Sequence, residues 1–448
     1  MKKLLLLVVC LIILAGFWIA LSLKTKVAPP DDALIKTVVE EIMSIGELYR
    51  GPEVNVDRTE LAYTRSMSEG RGMSMVNLQT GAEERFLHTN QILRVFDYSP
   101  DGRYLLFRDL NKGVSERLVL RDRINGTLIP IQENKGNLTQ ILWLTTNTLA
   151  VAYKKGEETF ICRIALTNQQ QVVQRVKNKN WVAALTGFSS NAVAYIDFGN
   201  IWKLDFDTEE RTQLSKLTKA DMKSNKGAKK LLASDFMWLN YQPGNDRFLF
   251  CSSDESNGRH LFHFDPSSNQ VEQLIFDNEH SYNGKWIQKG KGFAYVGNLT
   301  NHFYLAIRPD NANVSTNLFF GGHVYGFTVS SDGSKIFAAA SMKKEPPEIW
   351  EYDIESRELR QITHRAKLKA AQIIPRQEQW VASFDGLKIP SFVLPPRDLD
   401  KRKKYPAVIS TPPDGNQFYD AWENYSQFLG NIGCYHFAVN HRGIDGYG

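Results

Sequence analysis

A short apolar core preceded by a turn recurs along most of the chain. The first four cores lie 44 positions apart, and the later ones follow at spacings near 55, 45 and 43. A period of about 44 residues, with turn signals between short strands, is typical of a four-stranded propeller blade. The cores are Leu61-Ala62-Tyr63, Leu105-Leu106-Phe107, Leu149-Ala150-Val151, Ala192-Val193-Ala194 with Tyr195, Phe248-Leu249-Phe250, Phe293-Ala294-Tyr295 and Ile336-Phe337-Ala338.

Several of these cores follow residues that favour tight hairpins. The clearest examples are Ser99-Pro100-Asp101-Gly102 and Ser331-Asp332-Gly333, where Asp-Gly supplies the positive φ of such a turn. An open array of sheets or a two-sheet sandwich does not readily keep a constant period through four units. The pattern therefore predicts a mainly β protein whose residues 50–375 form a seven-bladed β-propeller, a closed ring with short protected sheet edges.

The N-terminus has the pattern of an anchoring or export segment. Two lysines precede an uncharged run over residues 4–23, and two more follow it. A helix of that length spans roughly 30 Å, the thickness of a bilayer core. We expect residues 1–26 to be a signal-anchor with the body exported to the periplasmic or extracellular side. If the segment is a cleaved signal peptide, the protein is secreted instead.

A linker is expected between the anchor and the body. Pro29 and Pro30 begin it, and apolar residues at helical spacing follow over residues 34–49. Residues 27–49 therefore predict a linker that contains one amphipathic helix.

Composition and charge narrow the class of protein. Hydrophobic residues make up 42% and charged residues 23% of the 448 residues, which excludes a largely disordered chain and a multi-span membrane protein. The net charge of +5 does not imply a nucleic-acid partner. The four cysteines form no C-x-x-C pair, which excludes a disulfide-dense scaffold and a cysteine-based zinc site. We expect neither a metal nor a cofactor.

The pattern changes over residues 376–448. Two short strands flank an Asp385-Gly386 turn, and a buried-type strand follows at residues 407–409. A helix is expected over residues 422–429 and a second buried-type strand over residues 437–439. This order predicts the beginning of an α/β unit.

Three segments in this tail resemble the prolyl oligopeptidase family of serine peptidases. They are "SFDGLKIPSFVLPP", "KKYPAVIS" and "NQFYDAWENYSQFLGNIGCYHFAVNHRGIDGYG", in an order similar to the opening of that family's α/β-hydrolase domain. The resemblance implies a propeller joined to a hydrolase domain, with short peptides hydrolysed in a cavity between them. The positions that match the family motif are Asp385, Gly386, Asn440, Arg442, Gly443, Gly446, Tyr447 and Gly448.

The loop after the "YPAVIS" strand departs from the family pattern. Where the family has His-Gly-Gly-Pro, this chain has Thr411, Pro412, Pro413 and Asp414. Proline has no N–H, and losing one oxyanion donor costs about 100- to 1000-fold in rate. Some relatives use a tyrosine hydroxyl near this loop, for which Tyr419 is the nearer candidate and Tyr405 the alternative.

The sequence assigns no catalytic residue. No G-x-S-x-G nucleophile motif occurs in these residues, and in the family the serine, aspartate and histidine of the triad come later in the chain. His436 and His441 precede the position where that family places its general base. We therefore expect the chain to be inactive alone.

Three functional hypotheses follow. In the first, the chain is a truncated, membrane-anchored or exported serine peptidase of this family that acts on short peptides, with a separate chain completing its hydrolase domain. In the second, it is a non-catalytic exported propeller that binds a protein or peptide partner. In the third, it is a degenerate product without a function. A tail of about seventy residues cannot cover both faces of its central strands. The tail should therefore pack on the propeller, stay partly disordered or be completed by another polypeptide.

Overall fold

The structure, a computed structural model, describes most of the chain outside its N-terminal segment. The described residues are 19–21, 32–45, 47–54, 59–67, 70–89, 94–109, 117–131, 137–167, 170–178, 180–197, 199–216, 238–253, 259–274, 280–287, 291–299, 302–310, 312, 314–341, 345–364, 368, 371–411 and 421–440. Strands predominate, and they form many small antiparallel sheets, an arrangement consistent with a β-propeller.

The first described elements are the short strand β1 (Ile19–Leu21) and the helix α1 (Asp32–Ile45). Four-stranded antiparallel sheets follow, each built from strands that are consecutive in the chain. The first sheet has β2 (Glu47–Val54), β3 (Glu60–Met67), β4 (Gly70–Asn77) and β5 (Glu83–Thr89); the second has β6 (Arg94–Tyr98), β7 (Tyr104–Asp109), β8 (Arg117–Asp122) and β9 (Leu128–Pro130); the third has β10 (Asn137–Thr145), β11 (Thr148–Lys155), β12 (Glu158–Thr167) and β13 (Gln170–Asn178).

Four further sheets of the same kind complete this part of the described chain. The fourth has β14 (Leu185–Ser189), β15 (Ala192–Asp197), β16 (Asn200–Asp205) and β17 (Arg211–Gln213); the fifth has β18 (Trp238–Gln242), β19 (Arg247–Ser253), β20 (Arg259–Asp265) and β21 (Gln270–Gln273); the sixth has β22 (His280–Trp286), β23 (Phe293–Leu299), β24 (His302–Arg308) and β25 (Thr316–Phe320); the seventh has β26 (His323–Val329), β27 (Lys335–Ser341), β28 (Glu348–Asp353) and β29 (Leu359–Gln361). These sheets begin at Glu47, three residues before the expected boundary at residue 50.

Each apolar core found in the sequence lies in the second strand of one of these sheets. The cores fall in β3, β7, β11, β15, β19, β23 and β27. Their side chains are buried because each sheet packs face to face against its neighbours, so that both faces of the second strand are covered. The turn before β7 has the geometry expected of Asp-Gly, with Gly102 at φ +72° and its N–H donating to the Ser99 carbonyl at 2.7 Å.

The hydrophobic cores lie between neighbouring sheets and run in cyclic order. The first strands of successive sheets contact one another, and β26 of the seventh sheet contacts β2 of the first. A core that includes Tyr63, Val76, Phe337 and Ile349 joins the seventh sheet to the first. The seventh four-stranded sheet is thereby packed against the first.

The end of the described chain forms a different sheet, which we call the mixed sheet. It has β30 (Gln377–Ala382), β31 (Lys388–Leu394), β32 (Ala407–Ser410) and β33 (Tyr435–Val439), in the order β1-β32-β33-β31-β30. The strands β32 and β33 are parallel, and the helix α2 (Asn424–Asn431) lies between them in sequence. The predicted helix over 422–429 is thus observed two residues later.

The helix α2 covers one side of the mixed sheet, and α1 packs on α2. The apolar face of α1, with Val38 and Ile42, packs on Ala371 and Phe428. The side-chain amide of Gln427 on α2 makes two hydrogen bonds with the backbone of Ile374, at 3.0 and 2.8 Å. These contacts fix residues 371–374 between the two helices. The helix predicted over 34–49 therefore packs on the tail, and residues 47–49 belong to β2 instead.

The predicted membrane anchor is described only at Ile19–Leu21. These residues are extended and pair antiparallel with Ala407–Ile409, rather than continuing a helix. Extended backbone there supplies hydrogen-bond partners to the edge of β32. The rest of the span over 4–23 lies outside the described residues, and the anchor stays a prediction. No helix in the described part of the chain is long and apolar enough to cross a bilayer.

Candidate functional site

The motif positions that are described lie at one end of the mixed sheet. Thr411 follows β32 and is exposed, and Asn440 follows β33 and is buried. The carboxyl ends of parallel neighbouring strands lie at the same edge of a sheet, where α/β proteins bind their ligands. Asn440 also donates its backbone N–H to the Pro390 carbonyl at 3.3 Å, which joins it to the start of β31.

The Asp385-Gly386 turn lies at this same end. Because β31 runs antiparallel to β33, the hairpin before β31 lies beyond the carboxyl end of β33. Gly386 has φ +84° and donates its N–H to the Ser383 carbonyl at 2.9 Å. Asp385 accepts a hydrogen bond from the Leu387 N–H at 3.3 Å. These hydrogen bonds fix the conformation of the hairpin, so Asp385 and Gly386 have a structural role.

The other motif residues lie outside the described part of the chain. They are Pro412, Pro413, Asp414, Tyr419, Arg442, Gly443, Gly446, Tyr447 and Gly448. The alternative oxyanion donor, Tyr405, is buried, and its hydroxyl accepts the Asp400 N–H at 2.9 Å. That hydroxyl therefore supports the loop before β32.

A buried chain of polar side chains lies directly before Thr411. The Ser410 hydroxyl is 2.5 Å from His436 Nε2, and the Ser426 hydroxyl is 2.6 Å from His436 Nδ1. Ser426 in turn donates to the Glu423 carboxylate. Arg376 contacts Glu423 Oε2 at 2.6 Å and donates to Ser426 Oγ at 3.1 Å.

The hydrogen bonds among these side chains are consistent with a single assignment of donors and acceptors, running from Ser410 to Glu423. Since the Ser426 hydroxyl proton points to Glu423, its oxygen accepts from His436, which places the imidazole proton on Nδ1. His436 Nε2 then accepts the hydroxyl proton of Ser410. The pKa of His436 is lowered to about 4, mainly by burial; the Glu423 carboxylate opposes this lowering, and the Arg376 guanidinium adds to it. The imidazole is therefore neutral at pH 7.

A hydroxyl bonded to a histidine is the arrangement of a nucleophile with its base. Here Ser410 and His436 are both buried, on the side of the sheet that α2 covers. A substrate carbonyl cannot reach that position, and Ser426 separates the imidazole from the carboxylate. The arrangement joins β32, β33 and α2 below the loop that begins at Thr411, and it is a positioning network.

Sequence reasoning excluded His436 as a general base, and it missed the partners of this histidine. The available signal was a histidine inside the apolar strand run at residues 435–439, because a polar side chain in a buried strand needs a partner. Its partners, Ser410, Ser426 and Glu423, are up to 26 residues away and come together only through the parallel pairing and α2.

The two faces of the mixed sheet differ in cover. On the α2 side, Phe392, His436 and Ala438 are fully buried. On the opposite side, the strand alternation places Ile409, Tyr435 and Phe437, which are only half-buried. The expectation of a buried-type strand is not met for β32, where three of the four residues are half-buried, including Val408 on the α2 side.

The mixed sheet contacts the four-stranded sheets directly. The Trp422 N–H donates to the Ser341 hydroxyl of the seventh sheet at 2.9 Å. Glu378 on β30 lies 3.6 Å from His302 Nε2 of the sixth sheet. Of the three outcomes expected for the tail, packing on the propeller-like part is thus observed.

Comparison with known proteins gives a likeness in fold. No protein-family model and no curated protein matches the sequence. An acylaminoacyl peptidase from Pyrococcus horikoshii matches with a TM-score of 0.66 and 17% identity, over 91% of this chain and 67% of that one. A prolyl endopeptidase matches with a TM-score of 0.67 and 13% identity, over 94% and 65% of the two chains.

A third solved structure extends the comparison. A puromycin-hydrolysing peptidase from Mycobacterium tuberculosis matches with a TM-score of 0.68 and 11% identity, over 97% of this chain and 70% of that one. The chain thus spans about two thirds of the length of each relative. All three are prolyl oligopeptidase family members, so the resemblance predicted from the sequence is confirmed: in its fold, this chain is similar to the peptidases of that family.

Proposed function

We propose that these residues form the propeller and the beginning of the α/β-hydrolase domain of a serine peptidase of the prolyl oligopeptidase family that acts on short peptides. The observation that carries the proposal is the β32-α2-β33 unit. It is a parallel crossover placed directly after the repeating sheets, and the family motif falls at the ends of its strands. The fold likeness to three peptidases supports the same reading.

The repeating sheets are assigned as the blades of a seven-bladed propeller. Support comes from the cyclic contacts, in which β26 meets β2. In this assignment the propeller limits access to a cavity at the mixed sheet, where short peptides enter. The contacts Trp422–Ser341 and Glu378–His302 belong to the boundary of that cavity.

The catalytic triad is assigned to a polypeptide segment other than these 448 residues. No G-x-S-x-G is present, and the contacts of Ser410 and Ser426 with His436 are buried. The half-buried face of β32 and β33 supports this, since parallel strands normally have both faces covered. We place the completed enzyme on the outer side of a membrane, with the apolar run over residues 4–23 as its anchor in a state in which Ile19–Leu21 do not pair with β32.

Covalent labelling tests the proposal. The purified chain is incubated with a fluorophosphonate probe, beside the Pyrococcus horikoshii acylaminoacyl peptidase as the positive control. We expect the control to be labelled and this chain to remain unmodified, because a serine hydroxyl needs an accessible base to attack the probe. A single stoichiometric adduct on this chain, lost on heat denaturation, would overturn the assignment of the triad to another segment.

A second function is favoured by one observation in the sequence. Pro412 and Pro413 stand where the family has glycines, and neither has an N–H to offer an oxyanion. This fits a non-catalytic exported propeller that binds a protein or peptide. Calorimetric titration with short proline-containing peptides separates the two readings: tight binding that persists when the missing hydrolase part is supplied, with no cleavage, would favour the binding protein.

A further inference from the structure

A cavity of about 230 Å³ opens between the third and fourth four-stranded sheets. Its lining residues are Thr148, Arg163, Ala165, Val172, Gln174 and Ser190. All but one belong to the third sheet, and Ser190 lies in the turn between β14 and β15. The volume is below the range of roughly 300–1,000 Å³ that is usual for drug-sized ligands, so the cavity suits a single small ring.

The cavity exists because the third sheet is longer than the fourth. The strands β12 and β13 have ten and nine residues, whereas the strands of the fourth sheet have three to six. Cross-strand pairing places Thr148, Ala165 and Val172 side by side, on the face that packs on the fourth sheet. Their small side chains form a shallow, mainly apolar floor where the fourth sheet ends.

The wall beside this floor is polar. Within the described chain, the Arg163 guanidinium donates from Nη1 to the Asp207 carboxylate at 2.7 Å, and its remaining N–H groups are available to a ligand. Gln174 donates from Nε2 to the Phe206 carbonyl at 2.5 Å and to Glu209 at 3.2 Å. The Gln174 oxygen, Oε1, is buried in the wall without a hydrogen-bond partner. A ligand hydroxyl seated there supplies the missing donor.

The charge around the cavity disfavours an anionic ligand. Arg163 is the one charged residue among those that line it, and the carboxylates of Asp207 and Glu209 lie beside the polar wall. Hydrogen bonds from Asn191 and Arg163 lower the pKa of Asp207, which is therefore charged at pH 7. One cation beside two carboxylates attracts a further carboxylate only weakly.

We propose that this cavity binds a neutral sugar ring, a hexopyranose that is either free or at the end of a saccharide chain. Sugar hydroxyls both donate and accept hydrogen bonds, which matches the Arg163 donors and the Gln174 acceptor on the wall. The hydroxyls of Thr148 and Ser190 on the other sides of the cavity can take either role. The C–H groups of the ring cover the mainly apolar floor.

The cavity lies away from the candidate site. Ser341, which contacts the mixed sheet, is the last residue of β27, and Thr148, which lines the cavity, is the first residue of β11. In the seven-bladed assignment the second strands run in the same direction, so these two residues lie at opposite ends of the ring. A failure of sugar binding therefore leaves the proposed peptidase function untouched.

Saturation-transfer NMR measures binding to the full-length chain in a polyoxyethylene detergent, since a detergent with a sugar head group would compete. The ligands are glucose, galactose and mannose, their methyl glycosides, and glucuronate and galacturonate as anionic controls. We expect at least one neutral hexose to bind with a dissociation constant on the order of a few millimolar, and its uronate to bind more weakly. Equal or tighter binding of the methyl glycoside identifies a chain end as the ligand, and binding of the free hexose alone identifies a free sugar.

Variants test the two parts of the cavity. Ala165→Leu should abolish binding, because the added carbons fill the space above the floor. Arg163→Met should weaken binding about tenfold or more, because a charge-assisted donor is lost. Arg103→Met is the matched control: Arg103 pairs with Asp122 at 2.8 Å on the second sheet, and this variant should bind the sugar normally. Ser190→Ala, in an exposed turn, should keep the fold and weaken binding about threefold.

Four outcomes would overturn the proposal. They are no binding of any of the three hexoses by NMR or by calorimetry, unchanged binding in Ala165→Leu, an equal loss in Arg103→Met, and tighter binding of the uronates than of the neutral sugars. Circular dichroism of each variant separates a lost cavity from a lost fold, and Ser190→Ala gives a readout even where the larger substitutions unfold the sheet.

Discussion

The faces of the four-stranded sheets and of the mixed sheet are covered in different ways. In the four-stranded sheets, each face packs on a neighbouring sheet, and strands such as β15 and β27 are buried along nearly their whole length. In the mixed sheet, one face is covered by α2 and a polar network, while Ile409 and Phe437 on the other face are half-buried.

This difference teaches that the described residues complete one part of the molecule and only half-cover the other. A ring of sheets needs nothing beyond its own strands to cover its faces. A parallel strand pair needs a helix layer on each side. The peptidase chemistry of the family depends on the second part, so the assignment of function depends on whatever covers the open face.

The largest expected effect is in the four-stranded sheets. Phe250 is fully buried and stacks on Phe262 with ring centroids 5.3 Å apart. Phe250→Ala should lower the free energy of unfolding by about 3–5 kcal/mol, because it removes buried area and leaves a cavity. Chemical denaturation followed by circular dichroism measures this. A loss under 1 kcal/mol would contradict close packing between the fourth and fifth sheets.

The next effect is in the polar network of the mixed sheet. Arg376→Met removes the guanidinium that bonds Glu423, Ser426 and the Ala421 carbonyl. We expect a loss of about 3 kcal/mol, confined to the mixed sheet, since a mostly buried carboxylate loses its cation. Hydrogen exchange of peptides from residues 424–439 should rise, while peptides from β11 and β15 stay protected.

The pH dependence follows from His436. The pKa of His436 is about 4 in the folded chain and near 6.5 in the unfolded chain. Between these pH values the unfolded state therefore binds a proton that the folded state does not bind. Stability is therefore complete above about pH 6.5 and declines as the pH falls toward 4, by about 2 kcal/mol at pH 5. His323 in the seventh sheet, whose pKa burial also lowers to about 4, should act likewise there.

Variants separate the two histidines. His436→Gln should remove the pH dependence of exchange in residues 424–439 and leave that of the seventh sheet, and His323→Gln should do the reverse. Unfolding profiles of the two variants between pH 7 and 5 test this. A mixed sheet whose stability does not change over that range in the unmodified chain would argue against a neutral buried His436.

A smaller effect compares the two faces of the mixed sheet. Phe437→Ala should cost about 1 kcal/mol, because this ring is partly exposed. Phe392→Ala on the covered face should cost about 3 kcal/mol or more, because that ring is fully buried beneath the Arg376 guanidinium. Urea denaturation monitored by exchange measures both variants. Equal costs would contradict the contrast between the faces.

The smallest expected effect concerns the N-terminal segment. Deleting residues 4–23 should change the stability of either region by no more than about 0.5 kcal/mol, since β1 adds only three residues at one edge. The same deletion should move the protein from the membrane to the soluble fraction of expressing cells. Fractionation by carbonate extraction measures that shift, and retention in the membrane would contradict the anchor.

The repeats could be predicted from the sequence because their signals are local. Turn residues such as Asp101-Gly102 and the alternation around Leu105-Leu106-Phe107 act over a few positions, and each repeat confirms the others. The tail elements were also predictable to within a few residues. The α2 helix, expected over 422–429, is observed at Asn424–Asn431.

The candidate site was less predictable because it depends on tertiary pairing. Ser410 and Ser426 carry no local signal that they meet at His436, and only the parallel register of β32 with β33 brings them together. The cavity at Arg163 was hidden for the same reason. A strand pattern does not reveal where one sheet extends beyond its neighbour.

Hydrogen exchange on the unmodified chain tests the central contrast most directly. We predict that amides in the second strands of the four-stranded sheets, such as β11 and β15, exchange only through global unfolding, whereas amides in β32 and β33 exchange at least about tenfold faster through local opening. Equal protection in the two regions would contradict the account, because it would mean that these residues complete the mixed sheet by themselves.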